Sequence, residues 1–149
     1  MQAAFTSRTS SSTTFHVVAD NSTVVALIAT IDSSCSSLLN ANSSKTPVAI
    51  NGSAQDPLPE QAVQYYRASS VVLTLDGYNN TAALTGGANT KPAPLPSNVD
   101  TALLSCLNST IGQSVPLFDA ASAGFSVTVP GLFSLFALPY VLLCLMDLI

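Results

Sequence analysis

Between Gly124 and Met146 the chain carries no charged residue, and it ends at Asp147-Leu148-Ile149 with no Lys or Arg after Lys91. An apolar run of that kind has to leave water. As a helix, Phe125–Met146 would span 22 residues and about 33 Å, enough to cross a hydrocarbon layer of about 30 Å. Pro130 and Pro139 interrupt the run, which a membrane helix tolerates. The exit fits less well, because basic residues normally mark the cytoplasmic end of a span. A glycolipid-attachment signal suits this ending better, since it needs small residues, a short spacer and a terminal apolar stretch. Ser122-Ala123-Gly124 supplies the small residues with Ser122 as the attachment point, Ala123–Pro130 the spacer and Gly131–Met146 the apolar stretch. Phe125, Val127 and Val129 make that spacer more apolar than usual, and Ala120 or Ala121 could equally be the cleavage site. Three readings of residues 121–149 stand side by side: glycolipid signal, retained span, or buried segment of the domain.

The body before this tail is long enough for one small core, which benefits from a staple. Charged residues make up only 8% of the chain, against about 25% in ordinary proteins. Ser, Thr, Asn and Ala take their place. A mean hydropathy of +0.44 argues against a disordered acidic chain, which would be poor in apolar residues. The net charge of −4 and only four basic residues argue against a nucleic-acid partner, because phosphate binding needs clustered Lys and Arg.

Asn-x-Ser/Thr sequons stand at Asn21, Asn42, Asn51, Asn79 and Asn108. Five of them spread over the body indicate passage through the secretory pathway, with glycans hydrating a surface short of charge. The competing account is that they are helix caps and turn residues. Of the three cysteines, Cys144 lies in the apolar tail, leaving Cys35 and Cys106 as a pair. A bridge between them would close a loop of 106 − 35 = 71 residues, worth about 4 kcal/mol on the chain-entropy estimate. Two buried free thiols are the alternative. A secreted chain should open on a basic residue, an apolar stretch and a cleavage site, yet Met1–Thr14 is polar and Ser/Thr-rich. The expectation is therefore that the true start lies upstream of Met1.

Residues 1–16 read as a disordered lead with His16 at its edge. Val24, Ile28, Ile31, Cys35 and Leu38 then recur at helical spacing, with caps available from Asp20 to Thr23. A second helix would start at Pro59 and Glu60, align Ala62, Tyr66, Ser69 and Leu73, and end at Gly77. A hairpin competes with it, because Val71–Leu75 is β-prone and Asp76-Gly77 could turn the chain back through Tyr78–Leu84. A third helix follows Ser97-Asn98-Val99-Asp100, a capping-box sequence, and places Leu103, Leu107, Ile111 and Val115 on one face with Cys106 at its flank. The fold class expected is all-α: a small three-helix bundle over residues 17–120, with a C-terminal membrane-anchoring segment.

Catalytic chemistry has little to work with. His16 is the one histidine, and no CxxC or His pair offers a metal site. Asp56 and Glu60, the one close carboxylate pair, suit cap and dipole roles at the start of helix two. Gly86-Gly87 lacks the strand and the Lys-Ser/Thr of a phosphate loop. Tyr65-Tyr66-Arg67 reads as one ring in the core and one at its rim. No catalytic residue, metal or cofactor is expected.

The stretches Tyr65–Val72 (YYRASSVV), Asp76–Thr81 (DGYNNT) and Ser105–Gly112 (SCLNSTIG) resemble small secreted proteins of basidiomycete fungi over roughly residues 59–120. That resemblance implies a small surface protein and carries no catalytic residue. In texture the body is also similar to fungal hydrophobic-surface-binding proteins. The reading is a non-enzymatic glycoprotein at the extracellular face of the plasma membrane or in the cell wall, with membrane lipid or wall as partner. The alternative is a secreted helical module that binds lipid or an apolar surface.

Overall fold

The computed structural model describes residues 1–67, 70–85 and 91–115. It overturns the all-α bundle. Strands β1 (Gln2–Thr6), β2 (Thr14–Val18), β3 (Ala62–Tyr66) and β4 (Val71–Leu75) form one antiparallel sheet in the order β1-β2-β4-β3. Helices α1 (Asn21–Cys35) and α3 (Thr101–Ser114) pack on one face of it, and α2 (Ala82–Thr85) is a single turn at the sheet's end.

The residues expected to form a disordered lead are the first hairpin. Phe5, Phe15 and Leu75 align across three strands, as do Ala3, Val17 and Leu73. Alternate residues of a strand point to the same face, so these two rows make an apolar floor whose members are at most 2% exposed. The Ser/Thr-rich stretch is the loop of that hairpin. Ser7 Oγ accepts the N–H groups of Thr9 and Ser10 at 3.1 and 3.0 Å, and Ser7 N–H donates to Thr13 O at 2.9 Å. The outer edge of β1 is covered by residues 40–48, through Asn40 N–H to Thr6 O and a mutual pair between Gln2 and Val48 at 2.8 Å each way. Covering an edge this way removes a template for intermolecular pairing.

The expected second helix is a strand pair. Pro59 opens only one 3₁₀ turn (Pro59–Gln61), and Ala62 is already extended at φ −63°, ψ 124°. Val71, Leu73 and Leu75 repeat with period two, and all three are buried, so β-branched and apolar residues on a pleated face outweigh the i, i+4 pattern. The competing hairpin was correct about strand Val71–Leu75 and the turn at Asp76-Gly77, where Gly77 sits at φ +74°. Its partner differed: β4 pairs with β2 and β3, not with residues 78–84. The β3–β4 turn passes through Arg67, which adopts a left-handed φ of +46°.

Helices α1 and α3 follow their stripes. Val24, Ile28, Ile31 and Cys35 are buried on α1, and Leu103, Leu107 and Ile111 on α3. Each helix is capped by an aspartate. Asp20 accepts from Thr23 N–H at 2.9 Å and from the hydroxyls of Ser22 and Thr23 at 2.6 Å each. Those donors, the Ser22 hydroxyl foremost, hold its carboxyl far below the usual range. Asp100, the fourth residue of the expected capping box, is itself the cap. Its Oδ1 accepts Leu103 N–H at 3.0 Å, and its Oδ2 accepts the hydroxyls of Ser7 at 2.5 Å and Thr9 at 3.1 Å. Asp100 thus starts α3 and fastens it to the first hairpin.

The Ser7 hydroxyl and then the Leu103 amide lower the Asp100 carboxyl below its ordinary value. A lowered folded-state value adds stability above the unfolded-state value of about 3.9 and loses it as pH falls through the folded-state value. Asp100→Ala should cost about 0.5–2 kcal/mol at pH 7, the usual range for a lost N-cap. In urea melts the gap between wild type and Asp100→Asn should narrow from pH 6 to pH 2; a gap that stays constant with pH would contradict the assignment.

Candidate functional site

His16 lies on β2, on the sheet face away from α1 and α3, and is 8% exposed. Its Nδ1 is 2.8 Å from Gln2 Oε1 and its Nε2 is 3.1 Å from Asp76 Oδ1. Gln2 Nε2 in turn donates to Asp56 Oδ1 at 2.7 Å. The other Asp56 oxygen accepts the backbone N–H groups of Asn51, Gly52 and Ser53 at 3.0, 2.7 and 2.8 Å. Desolvation pushes the Asp56 carboxyl up, and the amides of Ser53, Asn51 and Gly52 outweigh it, so the net displacement is downward. The run Asp76–His16–Gln2–Asp56, one ion-pair contact followed by two hydrogen bonds, ties the β4 turn, β2, β1 and the 51–56 loop into one line.

Both ring nitrogens of His16 have a partner within this line. Of the expected carboxylate pair, Asp56 closes its own loop, and the backbone carbonyl of Glu60 accepts from Asn80 N–H at 2.6 Å. Among the described residues no group of three or more His, Cys, Asp or Glu side chains gathers to hold a metal. Of the tyrosine cluster, Tyr66 is fully buried and Tyr65 half-buried. Burial pushes the Tyr66 hydroxyl up, and that hydroxyl donates to Asn108 Oδ1.

Two surface depressions flank α1. One, of about 250 Å³, is lined by Ser22, Thr23, Thr30, Arg67 and Ser114, with Leu27 and Val115 behind. The other, of about 450 Å³, is lined by Arg8, Asp32, Ser36, Asn40 and Lys45 with Leu39. Lys45 Nζ is 2.5 Å from Asp32 Oδ1 there. The second is lined mainly by polar side chains; the first mixes them with Ala26, Leu27 and Val115. The exposed large apolar residues, among them Val25, Val48, Ile50, Leu58 and Leu84, lie outside both.

Cys35 and Cys106 form a disulfide, with Cα atoms 6.0 Å apart, that joins the last turn of α1 to the second turn of α3. Cys35 is fully buried and Cys106 half-buried. All five sequon asparagines, Asn21, Asn42, Asn51, Asn79 and Asn108, are exposed. Asn21 is the first residue of α1 rather than its cap, which is Asp20. Ser122, Cys144 and the whole of 121–149 lie outside the described residues. Among the described residues no helix is long and apolar enough to cross a membrane; the expected anchoring segment lies outside them. No family model, curated protein or solved structure matches the chain.

The four-member line was invisible in the sequence because its partners are far apart in the chain: Gln2 to His16 by 14 positions and Gln2 to Asp56 by 54. Gln2→Ala removes its central link and leaves His16 Nδ1 and Asp56 Oδ1 each short of a partner. A loss of about 1–3 kcal/mol is expected, read from urea unfolding at pH 7. A change below about 0.5 kcal/mol, the range of ordinary surface substitutions, would show that the line does not hold the 51–56 loop to the sheet.

Proposed function

We infer that the protein is a non-enzymatic glycoprotein of the cell surface or cell wall, held at the extracellular face through its C-terminal segment. The observation that carries this reading is the pairing of Cys35 with Cys106 in a domain whose five sequon asparagines all face solvent. Disulfides persist in oxidising compartments, and glycans at exposed Asn would supply the hydration that a surface with so few charges lacks. In this reading the small triad at Ser122 receives a glycolipid and the apolar residues after it are removed.

The other reading, a helical module that opens to take a lipid, has less support. Its helical bundle is replaced by a sheet-and-helix sandwich, and of the two depressions beside α1 the larger is lined mainly by polar groups and the smaller mixes polar with apolar ones, short of the apolar walls a lipid chain needs.

The test is to express the full chain behind a working signal peptide in a eukaryotic host. Detergent phase partition, with and without a phosphatidylinositol-specific phospholipase, is followed by mass spectrometry of the mature C-terminus. Release into the aqueous phase by the lipase, with a C-terminus between Ala120 and Ala123, is the expected result. An intact chain ending at Ile149 and found in water without treatment would overturn the anchoring.

A further inference from the structure

The five sequons are not equivalent once the chain is folded. A sequon is read as an Asn amide together with the hydroxyl two residues later. Asn51-Gly52-Ser53 and Asn79-Asn80-Thr81 lie outside regular helices and strands, and in both the Asn and the hydroxyl residue are exposed. Asn108-Ser109-Thr110 lies within α3. Residues i and i+2 of a helix do not share a face: Asn108 points to solvent while Thr110 is 6% exposed. The Thr110 Oγ1 rests 3.6 Å from Cys35 Sγ, beneath the disulfide. The Asn108 amide is also held from its other side, since its Oδ1 accepts the Tyr66 hydroxyl. Cys106, the residue that locks α3 to α1, precedes Asn108 by two positions.

We propose that glycosylation of Asn108 and closure of the Cys35–Cys106 disulfide compete. The folded, oxidised domain carries its glycans at Asn51 and Asn79 and leaves Asn108 bare. This rests on the surface-glycoprotein reading, because it requires both reactions to occur in the secretory pathway. In the transfer, Asn108 Nδ2 bonds to the anomeric carbon of a sugar. That carbon's bond to the diphosphate of a lipid-linked donor breaks, and the amide proton leaves with the diphosphate or to solvent. In the competing reaction two thiols lose two electrons and two protons to a disulfide of an oxidoreductase, which becomes a dithiol. A closed disulfide fixes Thr110 against Cys35 and withdraws its hydroxyl from the transfer, so glycosylation of Asn108 has to precede closure. The face of α3 around Asn108 and Tyr66 therefore stays free of sugar in the mature molecule.

The experiment maps occupancy at each sequon in the full chain, expressed behind a signal peptide in a eukaryotic secretory host. Whole-cell and secreted pools are deglycosylated enzymatically in heavy-oxygen water and read by mass spectrometry. Three samples are compared: wild type, Cys35→Ser, and wild type synthesised in the presence of dithiothreitol. Cys35→Ser removes the bond without altering the neighbourhood of Asn108 in sequence. The dithiothreitol arm does the same without a mutation and does not depend on the variant's stability. In wild type, Asn51 and Asn79 should be occupied in most molecules and Asn108 in a minority. In both other samples Asn108 occupancy should rise several-fold while Asn51 and Asn79 change little. Asn51 and Asn79 glycosylated with Asn108 equally filled in all three samples would overturn the competition and leave the surface-glycoprotein reading intact. No glycan at any of the five sites would overturn both.

Discussion

The contact on which the rest of this structure depends is that of α1 and α3 with each other over the apolar floor of the sheet. Ile31, Cys35, Leu103, Leu107 and Ile111 are buried there against Phe5, Phe15, Val17, Leu73 and Leu75. A body of this size has few other places to put apolar area, and area removed from water is its main source of stability. The Cys35–Cys106 bond lies inside that contact, so it constrains the two helices that cover the sheet as well as shortening the unfolded chain.

Three polar devices hold this layer in register. Asp20 and Asp100 start the two helices, and Asp100 also reaches the first hairpin through Ser7 and Thr9. On the opposite face of the sheet, the line from Asp76 through His16 and Gln2 to Asp56 fixes the long 39–61 connection. In a chain with so few charges, three of these aspartates have carboxyls displaced downward by the donors around them. Those donors favour the ionised carboxylate over the protonated acid.

Both long helices were legible in the sequence, because four buried residues of α1 at spacings of three and four, and three of α3 at spacings of four, leave little room for another reading. Their starts were legible to within a few residues, and the pairing of Cys35 with Cys106 followed from setting Cys144 aside with the tail. The sheet was not. β1 and β2 are five residues each, and the Ser/Thr-rich loop between them has the composition of a disordered lead. In residues 62–75 the coincidence of Ala62, Tyr66 and Leu73 at helical spacing concealed the period of two in Val71, Leu73 and Leu75. The line through His16 exists only through strand register, which brings both Gln2 and Asp76 to His16. A single sequence carries no local signal for such pairings.

The central claim is an oxidised, glycan-bearing domain whose two covering helices are covalently joined. Its most direct test is peptide mapping of the natural protein, alkylated before lysis and digested without reduction. The account predicts one cross-linked species containing Cys35 and Cys106, with neither residue alkylated. Recovery of both as alkylated free thiols would place the protein in a reducing environment and contradict the account at its root.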